Sequence, residues 1–198
     1  MNQLTTQGSG ELRGRGSKFL AFAFVVFSRE EVRAVQAGLR KEYFDAQHHC
    51  YAYRLGKQGE TAFANDDGEP KHSAGDPILG QIRARDLTNV LVVVIRYFGG
   101  TLLGVRGLID AYKGVSAQAL DACTITEIIP QFVFRLTFPY ARTSEVSRLL
   151  NPFPTQIIEQ SFTDICVQTF AVRSDLSARV CSAFEGTWVK FEEISCDL

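Results

Sequence analysis

The chain has 198 residues, 45% of them hydrophobic, and a formal net charge of −1 at pH 7, which suits one large or two small domains and excludes a polycation made for nucleic acid over its whole surface. No apolar run approaches the roughly 20 residues that cross a bilayer, and residues 1–10 contain no apolar signal region, so we expect a cytoplasmic protein without membrane contact. The five Cys are widely spread and form no C-x-x-C pair, which gives no sign of a zinc site or a disulfide framework.

The first elements in the chain are a tail, two strands and a helix. Residues 1–17 are rich in Gln, Thr, Gly and Ser and are expected to form a flexible tail. A strand is predicted over 18–27, and Ser28 to Glu31 form a capping box that begins a helix. A second strand is predicted over 48–55, and residues 56–77 are expected to be one long loop.

A strand, a glycine-rich turn and a helix complete this half of the chain. The run 90–95 is apolar and rich in β-branched residues, which predicts a buried strand. The glycine turn over 96–104 follows, and residues 105–120 predict a helix. Before this unit, Asp76 is the expected N-cap of a short helix over 77–86.

The second half of the chain predicts the order βαββαβ, which is typical of the ferredoxin-like fold. We therefore expect an α+β protein with two domains, over 18–125 and 126–198. The predicted strands lie near 132–138, 156–162, 165–173 and 188–194, and the predicted helices lie over 141–150 and from N-cap Ser174 to Gly186.

The glycine turn is the first candidate site. A strand, a turn and a helix start bring unpaired backbone N–H groups together, which suits phosphate, and Gly104 to Gly107 match the G-x-x-G form that clamps nucleic-acid backbones. The alternative is that these glycines only permit a tight turn and close packing. The residues expected to contact an anion or nucleic acid here are Arg96, Gly99, Gly100, Gly104, Arg106 and Gly107.

The acidic loop is the second candidate site. Asp66, Asp67 and Glu69 are close in sequence, and such carboxylates can hold Mg²⁺ together with water. The alternative is a solvated Asp-Gly turn. Apart from this candidate Mg²⁺, we expect no cofactor.

The strand that begins at His48 is the third candidate site. Strand alternation places His48 with Cys50 on one face, where a Cys–His nucleophile pair would need an orienting acid such as Asp66. The alternative is a polar strand end. The opposite face offers a possible stacking surface for bases, formed by His49, Tyr51 and Tyr53.

Several motifs in the same order resemble the Impact/YigZ family over about residues 18–125. They are Asp45-Ala46-x-His48-His49-Cys50, Asp66-Asp67-Gly68-Glu69-Pro70, Ala74-Gly75-x-Pro77, Arg96-Tyr97-Phe98-Gly99-Gly100 with Leu103-Gly104, and Gly107-Leu108-Ile109-x-Ala111-Tyr112.

This resemblance implies an Impact-type first domain with the ribosomal protein S5 domain 2-like fold. Residues 126–198 are similar to the small C-terminal domain of bacterial members, which implies a ferredoxin-like domain like the last domain of elongation factor G. The pairing of these two domains suggests contact with RNA or the translation apparatus. Eukaryotic members regulate translation through the kinase pathway that senses amino-acid starvation, but they carry an additional N-terminal domain, so we do not expect that role here. The family has no assigned catalytic reaction.

We therefore expect a nucleic-acid-binding or ribosome-associated regulator of translation, with RNA, the ribosome or a protein of the translation apparatus as its partner. One alternative is a hydrolase or transferase that uses the acidic loop and the His48/Cys50 cleft. The other is a protein–protein interaction module that acts through the ferredoxin-like sheet.

Overall fold

The computed structural model describes residues 1–129 and 131–194, and the chain divides into two compact units, Met1–Ile128 and Ile129–Leu198. The predicted α+β class with two domains is confirmed. The division lies three residues after the boundary drawn from sequence, because residues 125–127 pair with the start of the chain. Among the described helices, none has the length and apolar character needed to cross a membrane.

The first unit consists of a large antiparallel sheet, a small two-stranded sheet and three helices. Its elements are β1 (Asn2–Leu4), β2 (Gly8–Gly14), β3 (Ser17–Val25), α1 (Arg29–Glu42), β4 (His48–Leu55), β5 (Thr61–Asn65), α2 (Gly75–Ala84), β6 (Val90–Tyr97), α3 (Gly104–Asp121) and β7 (Ile125–Glu127). The large sheet has the order β2-β3-β6-β4-β5, and β1 pairs with β7.

The large sheet carries a helical layer on each face. Alternation along β6 sends Val92 and Val94 to the face covered by α2 and α3, whereas Val93 and Ile95 lie on the face covered by α1. Because side chains alternate with period two, Arg96 follows Val94 onto the α3 face.

Four connections meet at one end of this sheet, which we call the loop end. The register pairs Lys18 with Tyr97, His48 with Arg96 and Tyr51 with Asn65. The β2–β3 turn, the α1–β4 connection, the β5–α2 loop and the β6–α3 turn therefore lie side by side. Both α2 and α3 begin at the loop end, and α1 ends there.

The prediction that residues 1–17 form a flexible tail is wrong, since this segment contains β1 and β2. Gly10 shows why a glycine-rich segment forms a strand here: a Cβ on it would lie 2.9 Å from the carbonyl oxygen of Val115 in α3. A Cβ on Gly8 would likewise overlap the carbonyl oxygen of Ala119. Glycine lets this strand pack directly on the helix.

Two further corrections concern the segment before β6. The expected loop over 56–77 contains β5, which pairs with β4 from Leu55↔Thr61 to Tyr51↔Asn65. The N-cap of α2 is Ala74, and Asp76 lies inside the first turn.

The second unit has the predicted βαββαβ order. Its elements are β8 (Gln131–Pro139), a 3₁₀ turn (Tyr140–Arg142), α4 (Thr143–Leu150), β9 (Thr155–Ser161), β10 (Ile165–Arg173), α5 (Ser174–Phe184) and β11 (Lys190–Ile194). The sheet order β11-β8-β10-β9 is that of a ferredoxin-like sheet. Its core includes Phe134, Phe138, Phe170 and Phe184. The N-cap of α5 is Arg173 rather than Ser174, and Cys196 lies outside the described residues.

Candidate functional site

Arg96 is buried at the loop end instead of facing solvent. Its residue is 4% exposed, and its Nη1 donates to Oε1 of Glu69 at 2.6 Å. Its Nη2 donates to Oγ of Ser17 at 3.3 Å, while Oε1 of Glu69 also accepts from the hydroxyl of Tyr112 at 2.7 Å. A buried guanidinium needs such a compensating charge. Arg96 therefore has no exposed guanidinium for a phosphate, which corrects the prediction.

Two aromatic rings enclose the Arg96 guanidinium. Its central carbon lies 5.4 Å from the ring centre of Phe19 and 5.4 Å from that of Phe98. This is cation–π geometry. The Nε of Arg96 is buried and has no hydrogen-bond partner among the described residues. Phe98 itself is 42% exposed, so Arg96 supports an aromatic side chain that reaches solvent.

The first amides of the glycine turn are already hydrogen-bonded within the protein. The amide of Phe98 donates to Oε1 of Gln47 at 2.8 Å, and that of Gly99 donates to Oγ of Ser17 at 3.3 Å. A Cβ on Gly99 would overlap the backbone of Gly16. Gly99 is therefore needed for close packing of two turns. Its amide is already bonded to Ser17, so the predicted anion contact of Gly99 is wrong.

The outer part of the turn is open. Over residues 100–103, no internal backbone hydrogen bond engages the amides within the described chain. Leu103, the N-cap of α3, forms no capping hydrogen bond with its side chain, and the first turn of α3 contains no acidic residue. Gly100 and Gly104 are exposed with φ of +82° and +73°, and Gly107 is half-buried. Arg106 is exposed on the first turn of α3. This outer part is where unpaired amides and positive charge coincide.

The carboxylate of Asp66 caps a helix. It accepts from the amides of His72 at 2.9 Å, Ala74 at 3.0 Å and Gly75 at 2.8 Å. Burial alone would raise the pKa of Asp66, but these three amides outweigh burial and hold the pKa below its usual value. Asp66 thus satisfies the N-terminus of α2.

Asp67 and Glu69 point to different partners. Asp67 accepts from Arg40 at 2.7 Å and from the amide of His49 at 2.6 Å. Burial raises the pKa of Asp67, and the bonds to Arg40 and to this amide more than offset it, so the pKa is lowered. Within residues 1–129 and 131–194, no group of three His, Cys, Asp or Glu could hold a metal. The carboxylates of Asp66, Asp67 and Glu69 therefore do not form the predicted Mg²⁺ site.

Cys50 is not placed as a nucleophile. It is fully buried, its Sγ donates to the carbonyl of Asp66 at 3.0 Å, and the hydroxyl of Tyr112 lies 3.3 Å from the same Sγ. Burial raises the pKa of the Cys50 thiol well above its usual range. His48 donates through Nδ1 to the carbonyl of Asp67 at 2.9 Å, because a carbonyl only accepts. The prediction of a Cys–His nucleophile pair oriented by Asp66 is therefore wrong.

The predicted base-stacking surface is part of the core. His49 is 6% exposed and Tyr53 is 7% exposed. Tyr51 is half-buried, and it joins Tyr53 in the cluster under α1. Burial, followed by the nearby Arg40, lowers the pKa of His49. These three residues therefore do not face bases, because α1 covers the strand face on which they lie.

Three residues of the loop end were not predicted from the sequence as site residues. Arg15 lies in the two-residue turn between β2 and β3, with φ of +47° followed by +81° at Gly16. Lys71 lies in the acidic loop, and Phe98 in the glycine turn. Alternation over residues 8–14 and 17–25 around Arg15-Gly16 was the signal for a hairpin. We name Arg15, Lys71, Phe98, Arg106 and the open amides of 100–103 the loop-end surface.

Comparison with known proteins finds relatives of the part of the chain that contains the loop end. The model of the Impact N-terminal domain family matches residues 15–120. The chain is 32% identical over 148 residues to the IMPACT family member YigZ of Escherichia coli (strain K12), covering 74% of this chain and 72% of that one. It is 42% identical over 125 residues to an IMPACT family member of Thermus thermophilus, covering 62% and 66%. A crystal structure described as that of an hypothetical protein aligns with TM-score 0.68 and 26% identity, over 98% of this chain and 96% of that one.

Proposed function

The chain belongs to the IMPACT family, and from that premise we propose that it is a regulator of translation that contacts RNA, free or within the ribosome, through the loop-end surface. The translational role rests on membership of the family and on the pairing of its two domain types, which are similar to domains of a ribosomal protein and of an elongation factor. The RNA contact rests on the geometry and charge of the loop end. A cytoplasmic location stays a prediction.

One observation carries the RNA contact: three exposed cations come from three separate segments at one end of the sheet, namely the β2–β3 turn, the β5–α2 loop and the first turn of α3. Arg15, Lys71 and Arg106 are exposed, and among the described residues their side chains form no ion pair and no hydrogen bond. Some exposed arginines elsewhere are paired, as Arg13 is with Glu11 and Arg142 is with Glu145, whereas others such as Arg29 and Arg83 are exposed in the same way as these three cations. The position of Arg15, Lys71 and Arg106 at one end of the sheet is therefore what sets them apart. Unpaired cations grouped beside open amides are the contacts that phosphates receive in protein–nucleic acid complexes.

The helix start adds to this positive potential. The N-terminus of α3 carries the positive end of the helix dipole, and Arg106 lies in that turn without an acidic residue to offset it. A bound phosphate would relieve this arrangement.

The carboxylates of the acidic loop do not repel an anion at the loop end, although the composition of this loop alone would predict such repulsion. The charge of Asp66 is held by three amides, that of Asp67 by Arg40, and that of Glu69 by Arg96. These carboxylates are compensated inside the protein, whereas the neighbouring Lys71 is exposed. The outward charge of this loop is therefore positive at Lys71.

The salt dependence of RNA affinity tests the proposal. Three phosphate contacts predict that log K falls against log [KCl] with a slope of about −2 for a single strand. We would measure anisotropy of a labelled 20-nucleotide RNA and sedimentation with purified ribosomes. The variant Arg15→Ala/Lys71→Ala/Arg106→Ala should lose most of the affinity and of the slope.

A second triple variant controls for net charge. Arg29→Ala/Arg83→Ala/Lys113→Ala removes the same charge from exposed positions of the first unit outside the loop-end surface, and it should bind as the wild type does. The proposal fails if the wild type binds neither RNA nor ribosomes at low salt. It also fails if the two triple variants bind equally well.

A further inference from the structure

Phe98 combines an exposed aromatic ring with a contact to a buried cation. It is 42% exposed, and Leu102 and Val105 beyond it in the same turn and helix start are 79% and 54% exposed. The ring of Phe98 nevertheless rests on a buried cation, since the Arg96 guanidinium lies 5.4 Å from its centre. One side of the ring is thus supported inside the protein while the residue stays open to solvent.

The backbone that carries Phe98 is held on both sides. Its own amide is bonded to Gln47, and the next residue, Gly99, is bonded to Ser17 and packed against Gly16. An aromatic ring on such a fixed backbone loses little conformational freedom when a second planar group stacks on it.

We infer that the loop-end surface takes single-stranded RNA and that Phe98 is a platform on which a base stacks. This inference rests on the proposed function of the same surface. Bases inside an A-form duplex are stacked on one another and cannot reach a protein ring, whereas the bases of a single strand can. Aromatic platforms flanked by cations along the backbone path are typical of single-strand binding.

The three cations and Phe98 then have separable effects. Arg15, Lys71 and Arg106 set the salt dependence, because they replace counterions at phosphates. Phe98 changes affinity without changing the slope, because stacking on a base releases no counterion from a phosphate.

The test uses the full chain with a labelled oligo(U) of 20 nucleotides and a labelled RNA duplex of 20 base pairs, each over a range of KCl. The wild type should bind oligo(U) at least tenfold more tightly than the duplex. Phe98→Ala should weaken oligo(U) binding by roughly tenfold with an unchanged salt slope. Phe27→Ala, which removes another exposed ring (61% exposed) at the opposite end of the sheet, should have no effect.

A second variant reads stacking directly and does not depend on the stability of Phe98→Ala. In Trp188→Phe/Phe98→Trp the only tryptophan stands at the platform, and its emission should be quenched when oligo(U) binds. Unquenched emission at saturating oligo(U) overturns the inference.

The remaining outcomes separate the inference from the proposed function. If the wild type binds neither RNA, the inference is wrong; if it also fails to sediment with ribosomes, the proposed function is wrong as well. If oligo(U) and duplex bind equally well, or Phe98→Ala binds oligo(U) as the wild type does, phosphate contact stands and the stacking platform is wrong. The exposed apolar residues would then serve a different partner, such as a protein.

Discussion

Replacing Glu69 by Gln should destabilise the first unit strongly. Glu69 is 8% exposed and Arg96 is 4% exposed, and their charged atoms lie 2.6 Å apart. Breaking a buried ion pair by removing one charge costs about 3–5 kcal/mol, because the other charge is left uncompensated. In Glu69→Gln the amide oxygen can still accept from Tyr112, so we expect the lower end, about 3 kcal/mol.

A double-mutant cycle isolates the ion pair from other losses. Arg96→Met should cost about as much as Glu69→Gln, since it leaves Glu69 buried without its cation. The double variant should be more stable than the sum of the two single effects predicts, by about 2 kcal/mol. A small coupling would mean that each side chain is stabilised independently of the other.

Urea unfolding of the full chain is the assay. Far-UV circular dichroism follows both units, while Trp188, the single tryptophan, lies in the second unit and serves as an internal control. With an m-value of about 2 kcal/mol/M, the midpoint of the first unit should fall by about 1.5 M. The reasoning would be refuted by a loss below about 1 kcal/mol with coupling under about 0.5 kcal/mol. Arg96 would then be solvated and available to a phosphate.

Three further predictions concern the same unit. The free energy of unfolding should fall as pH decreases below about 6.5, because burial lowers the pKa of His49 and the unfolded chain then binds more protons; urea titrations at several pH values measure this. Iodoacetamide should label the exposed Cys181 and leave Cys50 unlabelled in the native protein, because burial raises the pKa of the Cys50 thiol; peptide mass spectrometry reads both sites. Gly99→Ala should cost about 2 kcal/mol or more in urea unfolding, because its Cβ would overlap Gly16.

Each of these predictions has a matched control. His49→Gln should remove its share of the pH dependence, and an unchanged dependence would contradict the assignment to His49. Cys50 should become labelled in urea, and labelling of both thiols at equal rates without urea would contradict its burial. Gly14→Ala adds a Cβ with nothing within 4 Å, so equal stability losses for Gly14→Ala and Gly99→Ala would contradict the packing argument.

Elements with strong periodicity were predicted from the sequence because their pattern is local. The strand predicted over 48–55 is observed as His48–Leu55, and the helix predicted over 105–120 as Gly104–Asp121. The βαββαβ order of the second unit is confirmed as well. Segment 1–17 was mistaken for a tail because its glycines lower strand propensity. The strand forms there because residues 8–14 pair with β3, and glycine at position 10 lets the strand pack on α3.

The loop end shows where such reasoning stopped. Alternation placed His48 with Cys50 and His49 with Tyr51, and the clusters on the two faces of the sheet agree with this. It did not reveal that α1 covers the face of His49. The exposure of a strand residue depends on a helix that packs from elsewhere in the chain.

The sequence by itself determined where the buried strand before Arg96 lies, where the glycine turn lies and to which family the chain is similar, because periodicity and short motifs are local properties. Only the tertiary structure decided that Arg96 is neutralised by Glu69, 27 residues away, and that Arg15, Lys71 and Arg106 stay exposed at the loop end. The physical reason is that a charge is buried or exposed according to the partner that folding brings beside it, and that partner comes from a distant segment.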